Sequence, residues 1–134
     1  MSFRTIDRYS ERYRVATTEV DRQIEMAVIG SDWGANGYTT KAQADQLGSA
    51  LDLSADDRLI DVGAGRGWPG LYLAAMSGCR VVISDVPFNA LQAGTARAAA
   101  EGLSPRAWAV RCDAARLPFA RGSFDAMVHT DVLC

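Results

Sequence analysis

The chain has 134 residues, 49% of them apolar and 22% charged, which suits one ordinary globular domain with a sizeable core. Its formal net charge of -2 gives no broad basic surface, so nucleic acid is not an expected partner, although thirteen of the fourteen cations are arginine and could cluster. No apolar run reaches membrane-spanning length and the polar start Met1–Ser10 lacks a signal-like apolar stretch, so no membrane association is expected and the expected compartment is the cytoplasm.

In chain order, residues 6–29 carry Tyr9, Tyr13, Ala16, Val20, Ile24 and Ala27 at three- and four-residue steps, which predicts one amphipathic helix. Gly30, Gly34 and Gly37 mark a loop that also holds Trp33, Asn36 and Tyr38. Thr39 or Thr40 is a suitable N-cap for a second helix over 41–52, with Ala44, Leu47 and Leu51 on one face. The pattern then changes. Arg58–Val62 is a short strand, Gly63–Gly67 a glycine loop, and Trp68–Met76 a helix with Pro69 tolerated in its first turn. Arg80–Ser84 is an apolar, β-branched strand of the kind buried on both faces. Pro87–Gly102 is an alanine-rich helix, Ala107–Arg111 a third strand, Leu117–Gly122 a loop and Phe124–His129 a fourth strand. Alternating strand and helix predicts an α/β fold with a parallel, Rossmann-like sheet. The expected division is an N-terminal helical segment over 1–53 and an α/β core over 54–134.

The chain ends just after the fourth strand, which would leave that strand an open edge. A fragment, or a partner or second copy pairing with that strand, would account for it.

Cys79, Cys112 and Cys134 are odd in number and far apart, so reduced thiols are expected. His129 is the single histidine, too few for a zinc site, and no metal is expected.

The strongest chemical signal is Asp61-Val62-Gly63-Ala64-Gly65-Arg66-Gly67. A glycine turn from the end of a parallel strand into a helix lets backbone N–H groups approach a ligand. Residues 65–70 also spell GxGxxG, the dinucleotide string. Counted from Gly63, the glycine directly off the strand, the third required position is bulky Trp68, which disfavours an NAD(P)-dependent oxidoreductase. Asp61, expected to face the ligand crevice, suits a cationic aminoacyl group and repels a pyrophosphate. Asp85, with Val86 beside it, stands about 20 residues on, where a carboxylate accepts from ribose hydroxyls; it also suits a helix N-cap. Asp113 follows the third strand and can accept from an adenine amine, while small Ala114 leaves room for the ring; an Asp there also forms turns. His129, Thr130 and Asp131 end the fourth strand. His129 is the candidate general base, or lines the pocket with its ring.

These motifs, DVGAGRG, ISDVP, CDA and LPFARGSFDAMVHTDVL, resemble the class I S-adenosylmethionine (SAM)-dependent methyltransferases, and most of all their small-molecule type 11, or UbiE-like, group. The resemblance spans Arg58 to Leu133 and implies strand order 3-2-1-4, with the strands beyond the fourth absent. It implies SAM as cofactor. Gly63, Gly65 and Gly67 would lie under its methionine part, Asp61 at its amino end, Asp85 on the ribose, Asp113 and Ala114 at adenine, and the residues around His129 near the methyl group. The N-terminal helical segment over 1–53, with Trp33, Asn36, Gly37 and Tyr38, resembles the lid these enzymes place over the site. Thr130 is an expected contact with a small-molecule methyl acceptor, and Tyr38 is a contact with that acceptor or with SAM, or else packs within its loop. A catalytically incomplete SAM-binding or interaction module is the alternative.

Overall fold

The computed structural model describes Arg8 and residues 10–131. Tyr9 and Cys134 lie outside the described residues, as do the start of the first predicted helix and the end of the last motif.

The single helix expected over 6–29 is two pieces. Residues 10–12 are helical, 13–15 turn, and 16–18 are irregular, with Thr18 extended, before helix α1, Glu19–Val28. Thr18 makes the break. Its hydroxyl accepts from the Asp21 N–H at 3.2 Å while the Asp21 carboxylate accepts the Thr18 N–H at 2.8 Å, a capping box that starts a new helix. The expected burial of α1 is also reversed. Val20, Ile24 and Val28 are more than half exposed, and the residue the helix turns inward is Glu25, 8% exposed.

Helix α2, Lys41–Leu51, begins at Thr40, where a second capping box pairs Thr40 with Gln43. It buries Ala44 and packs on α3. Strand β1, Arg58–Val62, is followed by the glycine loop and α3, Gly70–Ser77, which starts two residues later than expected, after Pro69. Strand β2 is Arg80–Asp85, α4 is Phe88–Ala100, a 3-10 turn covers Ser104–Arg106, and β3 is Ala107–Arg111. Strand β4 is only Ala126–Val128. Its predicted start is taken up otherwise. Asp125 accepts the Arg58 N–H at 2.8 Å with its carboxylate, and Phe124 packs edge-on against Phe119 in the preceding loop.

The strands form one parallel sheet ordered β3-β2-β1-β4, as expected. Asp61 on β1 lies level with Ile83 on β2 and Val128 on β4, so all the strand ends open on the same edge. Leu59, Ile60, Leu71, Val81, Ile83 and Leu103 are almost wholly buried. Each contributes roughly 1.5–3 kcal/mol through burial, and this core holds the strand ends rigidly in place. Among the described residues no helix is long and apolar enough to cross a membrane.

Candidate cofactor and acceptor site

The glycine loop is tied down by its own backbone. Gly63 N–H and Ala64 N–H both donate to the Ser84 carbonyl, at 2.8 and 3.0 Å. Gly65 N–H donates to Asp85 Oδ2 at 2.8 Å, and Gly67 N–H to the Ala64 carbonyl at 2.8 Å. The four amides expected to face a ligand are therefore already bonded within the protein. What the loop offers a ligand is close approach. Gly65 sits at φ +57, and a Cβ there would lie 2.7 Å from the Tyr13 hydroxyl.

Asp61 is placed differently from expectation. It is 1% exposed and lies beneath the loop instead of facing the crevice. Its Oδ2 accepts the Gly70 N–H at 2.8 Å, in the first turn of α3, where Pro69 supplies no side-chain cap. The physical reason is the orphan donor at a helix start, which an acceptor must satisfy. Its other oxygen, Oδ1, is buried without a partner. Burial pushes the Asp61 carboxyl well above the usual carboxylate range, and the charge of Asp85 pushes it the same way.

Asp85 is half-buried at the end of β2, with Oδ2 on Gly65 and Oδ1 accepting the Val86 N–H at 2.7 Å. A carboxylate has about four lone-pair sites, so acceptor capacity remains. Cys112 N–H donates to the Asp85 carbonyl at 3.0 Å, which draws the exit of β3 towards that of β2. Asp113 Oδ1 accepts the Ala115 N–H at 2.9 Å and closes a turn, while Ala114 is exposed. Cys79 and Cys112 are free thiols, and burial raises the pKa of both.

The other predicted residues lie farther along the same edge. His129 is exposed, and no side chain among the described residues hydrogen-bonds its ring. Thr130 is half-buried and lines an open cleft of 500 Å³ with Tyr38, which is 85% exposed. Among the described residues no three His, Cys, Asp or Glu side chains converge to hold a metal ion.

Tyr13 and Glu25 escaped the sequence reading as site residues, and Arg66 and Asp131 were named there only as parts of their motifs, without these contacts. Tyr13, expected on the apolar face of a helix, instead places its hydroxyl over Gly65, where the Asn36 side chain bonds it. Burial raises the Tyr13 pKa, and the Asn36 bond works against that rise. The Arg66 guanidinium stacks 5.2 Å from the Tyr13 ring centroid. Glu25 accepts the backbone N–H groups of Trp33, Ala35 and Gly34, at 2.9, 3.0 and 3.2 Å. Asp131 Oδ2 accepts from Tyr38 N–H at 3.0 Å, Thr39 N–H at 3.2 Å and the Thr39 hydroxyl at 2.9 Å. The loop over 31–40 is thus held at both ends. Between α1, residues 12–17, this loop and Arg66 lies a cavity of 380 Å³.

A parallel sheet ordered 3-2-1-4, with a glycine loop after β1 and an acid closing β2, defines a Rossmann-like nucleotide-binding α/β domain. The chain belongs to the class I SAM-dependent methyltransferases: the family model described as a methyltransferase domain matches residues 59–134. It is 40% identical over 91 residues to methyltransferase GfsG of Streptomyces halstedii, covering 63% of this chain and 33% of that protein. It is 30% identical over 108 residues to 27-O-demethylrifamycin SV methyltransferase of Amycolatopsis mediterranei, covering 71% and 40%. Geranyl diphosphate methyltransferase solved with SAM superposes with a TM-score of 0.63 at 25% identity, over 78% of this chain and 46% of that one. Solved with geranyl diphosphate and sinefungin, it superposes at 0.72 and 19% identity, over 96% and 56%. The chain thus spans less than half the length of the two curated relatives.

Proposed function

We propose that the chain binds SAM across the C-terminal ends of β1, β2 and β3, as the cofactor-binding part of a methyltransferase for a small-molecule acceptor. The observation that carries this is the electrostatics of the glycine loop. A phosphate needs free N–H groups at a helix start. Here the Gly63, Ala64, Gly65 and Gly67 amides are spent on Ser84, Asp85 and Ala64, and a carboxyl oxygen of Asp61 already accepts the Gly70 N–H at the start of α3. Such a loop disfavours pyrophosphate and NAD(P), and it tolerates a cationic amine or sulfonium.

In this reading the spare lone pairs of Asp85 hold the ribose hydroxyls, with Val86 beside them. Asp113 and Ala114 flank adenine. Gly63, Ala64, Gly65 and Gly67 lie beneath the methionine part. Asp61 acts from below, by holding the loop against α3. When bound, SAM supplies an electrophilic methyl group. The protein's part is to align the acceptor with it and exclude water, and alignment alone provides much of the rate of such a displacement. His129 and Thr130, at the end of β4, line the methyl end. The segment before residue 54 serves as the lid. A small-molecule acceptor is supported by relatives whose names specify a rifamycin precursor and geranyl diphosphate.

Calorimetry with S-adenosylhomocysteine (SAH) tests the reading. Saturable binding of SAH, absent for NADH, is expected. No heat at about 1 mM SAH, an affinity weaker than roughly 4 kcal/mol, refutes it. Asp85→Asn, which retains an acceptor for Gly65, should weaken SAH about tenfold through the lost ribose contact.

A further inference from the structure

Resting on that placement of the cofactor, we infer that the 380 Å³ cavity beside Arg66 takes the methyl acceptor, and that this acceptor is an apolar molecule bearing an anionic group paired with Arg66. The cavity lies within the range of roughly 300–1,000 Å³ usual for small-molecule sites. Arg66 belongs to the glycine loop, and Gly37 and Tyr38 are pinned through Asp131 to the end of β4. The cavity therefore adjoins the edge where β1 and β4 end, at the methionine side of the cofactor placement.

Its lining divides by chemistry. One wall is apolar: Val15, Ile24, Val28 and Ala35. The first three are more than half exposed, although α1 would ordinarily turn its Ile24 and Val28 inward. The other wall carries charge. Of its acids, Glu25 spends both oxygens on three backbone amides, and Asp21 Oδ2 accepts both the N–H and the hydroxyl of Thr18. Of its cations, neither Arg12 nor Arg66 has a carboxylate within ion-pair distance among the described residues, and Arg66 rests on the face of Tyr13. The Glu25 oxygens are both engaged, Asp21 keeps one oxygen open and feels the charge of Arg66 without pairing with it, and the guanidinium donors of Arg12 and Arg66 have no hydrogen-bond partner among the described residues. A planar guanidinium with open donors recognises a carboxylate, sulfonate or phosphate. The uncovered aliphatic stripe supplies the surface for the rest of the molecule.

Two fluorescent probes separate the two walls: the aromatic sulfonate 8-anilinonaphthalene-1-sulfonate and its neutral counterpart N-phenyl-1-naphthylamine. The wild type should bind one of either per chain. Arg66→Gln should weaken the sulfonate about tenfold, or roughly 1.4 kcal/mol, and leave the neutral probe within about twofold. Ile24→Asp should weaken both probes, while its SAH binding by calorimetry matches wild type. An equal effect of Arg66→Gln on both probes, or none on the sulfonate, overturns the inference. Loss of SAH affinity in Arg66→Gln with the sulfonate unaffected also overturns it, by assigning the guanidinium to the cofactor carboxylate. The cofactor reading fails separately, if the wild type binds the sulfonate but not SAH.

Discussion

Glu25 offers the sharpest test of how α1 and the 31–40 loop are joined. Its carboxylate collects three backbone amides of the 33–35 loop, and hydrogen bonds to a charged group contribute about 1.5–3 kcal/mol each before the loop re-solvates. In Glu25→Gln one side of the group becomes an NH2 facing the Gly34 N–H, so one bond is lost and the other two lose their charge. A cost of about 2 kcal/mol is expected, or roughly 8 °C in Tm for a domain of this size. Glu25→Ala should cost more, about 3–4 kcal/mol, because three amides are then orphaned. The neighbouring Ile24 is 57% exposed, so Ile24→Gln should stay within about 0.5 kcal/mol of wild type. Urea titration measures the three stabilities, and amide hydrogen exchange at Trp33, Gly34 and Ala35 locates the damage. If Ile24→Gln is the costly variant and Glu25→Ala the neutral one, the helix faces the other way and the reasoning is wrong.

Gly94→Ala adds a Cβ 2.6 Å from Ile83 Cδ1 and 3.0 Å from the Arg66 carbonyl, so the glycine loop must shift. Stability should fall by about 1–3 kcal/mol less the small helix-propensity gain, with a measurable drop in SAH affinity by calorimetry. Asp61 holds its proton in the folded chain above the 3.8 at which the unfolded chain releases it. Its contribution is therefore greatest at acid pH and is lost as pH rises through the folded value. Asp61→Asn removes that dependence, so its denaturation midpoint should gain on wild type from about pH 4 upward; a constant difference between the two proteins would count against the burial of Asp61. Asp131→Ala releases three donors, and the Tyr38 and Thr39 amides should exchange at least tenfold faster while those of β1 are unchanged.

Strands β1 and β3 were legible because short apolar runs and glycine punctuation are local signals, whereas the order of the sheet came from the family resemblance. The start of α2 was legible too, because a capping box is written within four residues. The first helix was not. Thr18 breaks it by a local competition that apolar spacing does not register, and its inward face is chosen by Glu25, whose partners lie eight to ten residues away on a loop. The strand-end positions of Asp61, Asp85 and Asp113 were legible for the same local reasons as the strands. The direction of the Asp61 carboxylate was not, since it depends on the N–H left bare at the start of α3. Nor could the motif reveal that the loop amides donate to Ser84, because that bond exists only once β1 and β2 are side by side.

The double anchoring of the 31–40 loop bears on the route by which ligands arrive. Glu25 grips residues 33–35 and Asp131 grips 38–39, so opening this loop breaks six hydrogen bonds at once. Among the described residues, the segment over 10–17 is held by two hydrogen bonds, from the Asn89 amide to the Ser10 carbonyl and between Asn36 and the Tyr13 hydroxyl, and by the stack of Arg66 on Tyr13. Association rates should therefore respond to changes at Tyr13 and Asn89, while residence at equilibrium is governed by the strand ends behind them.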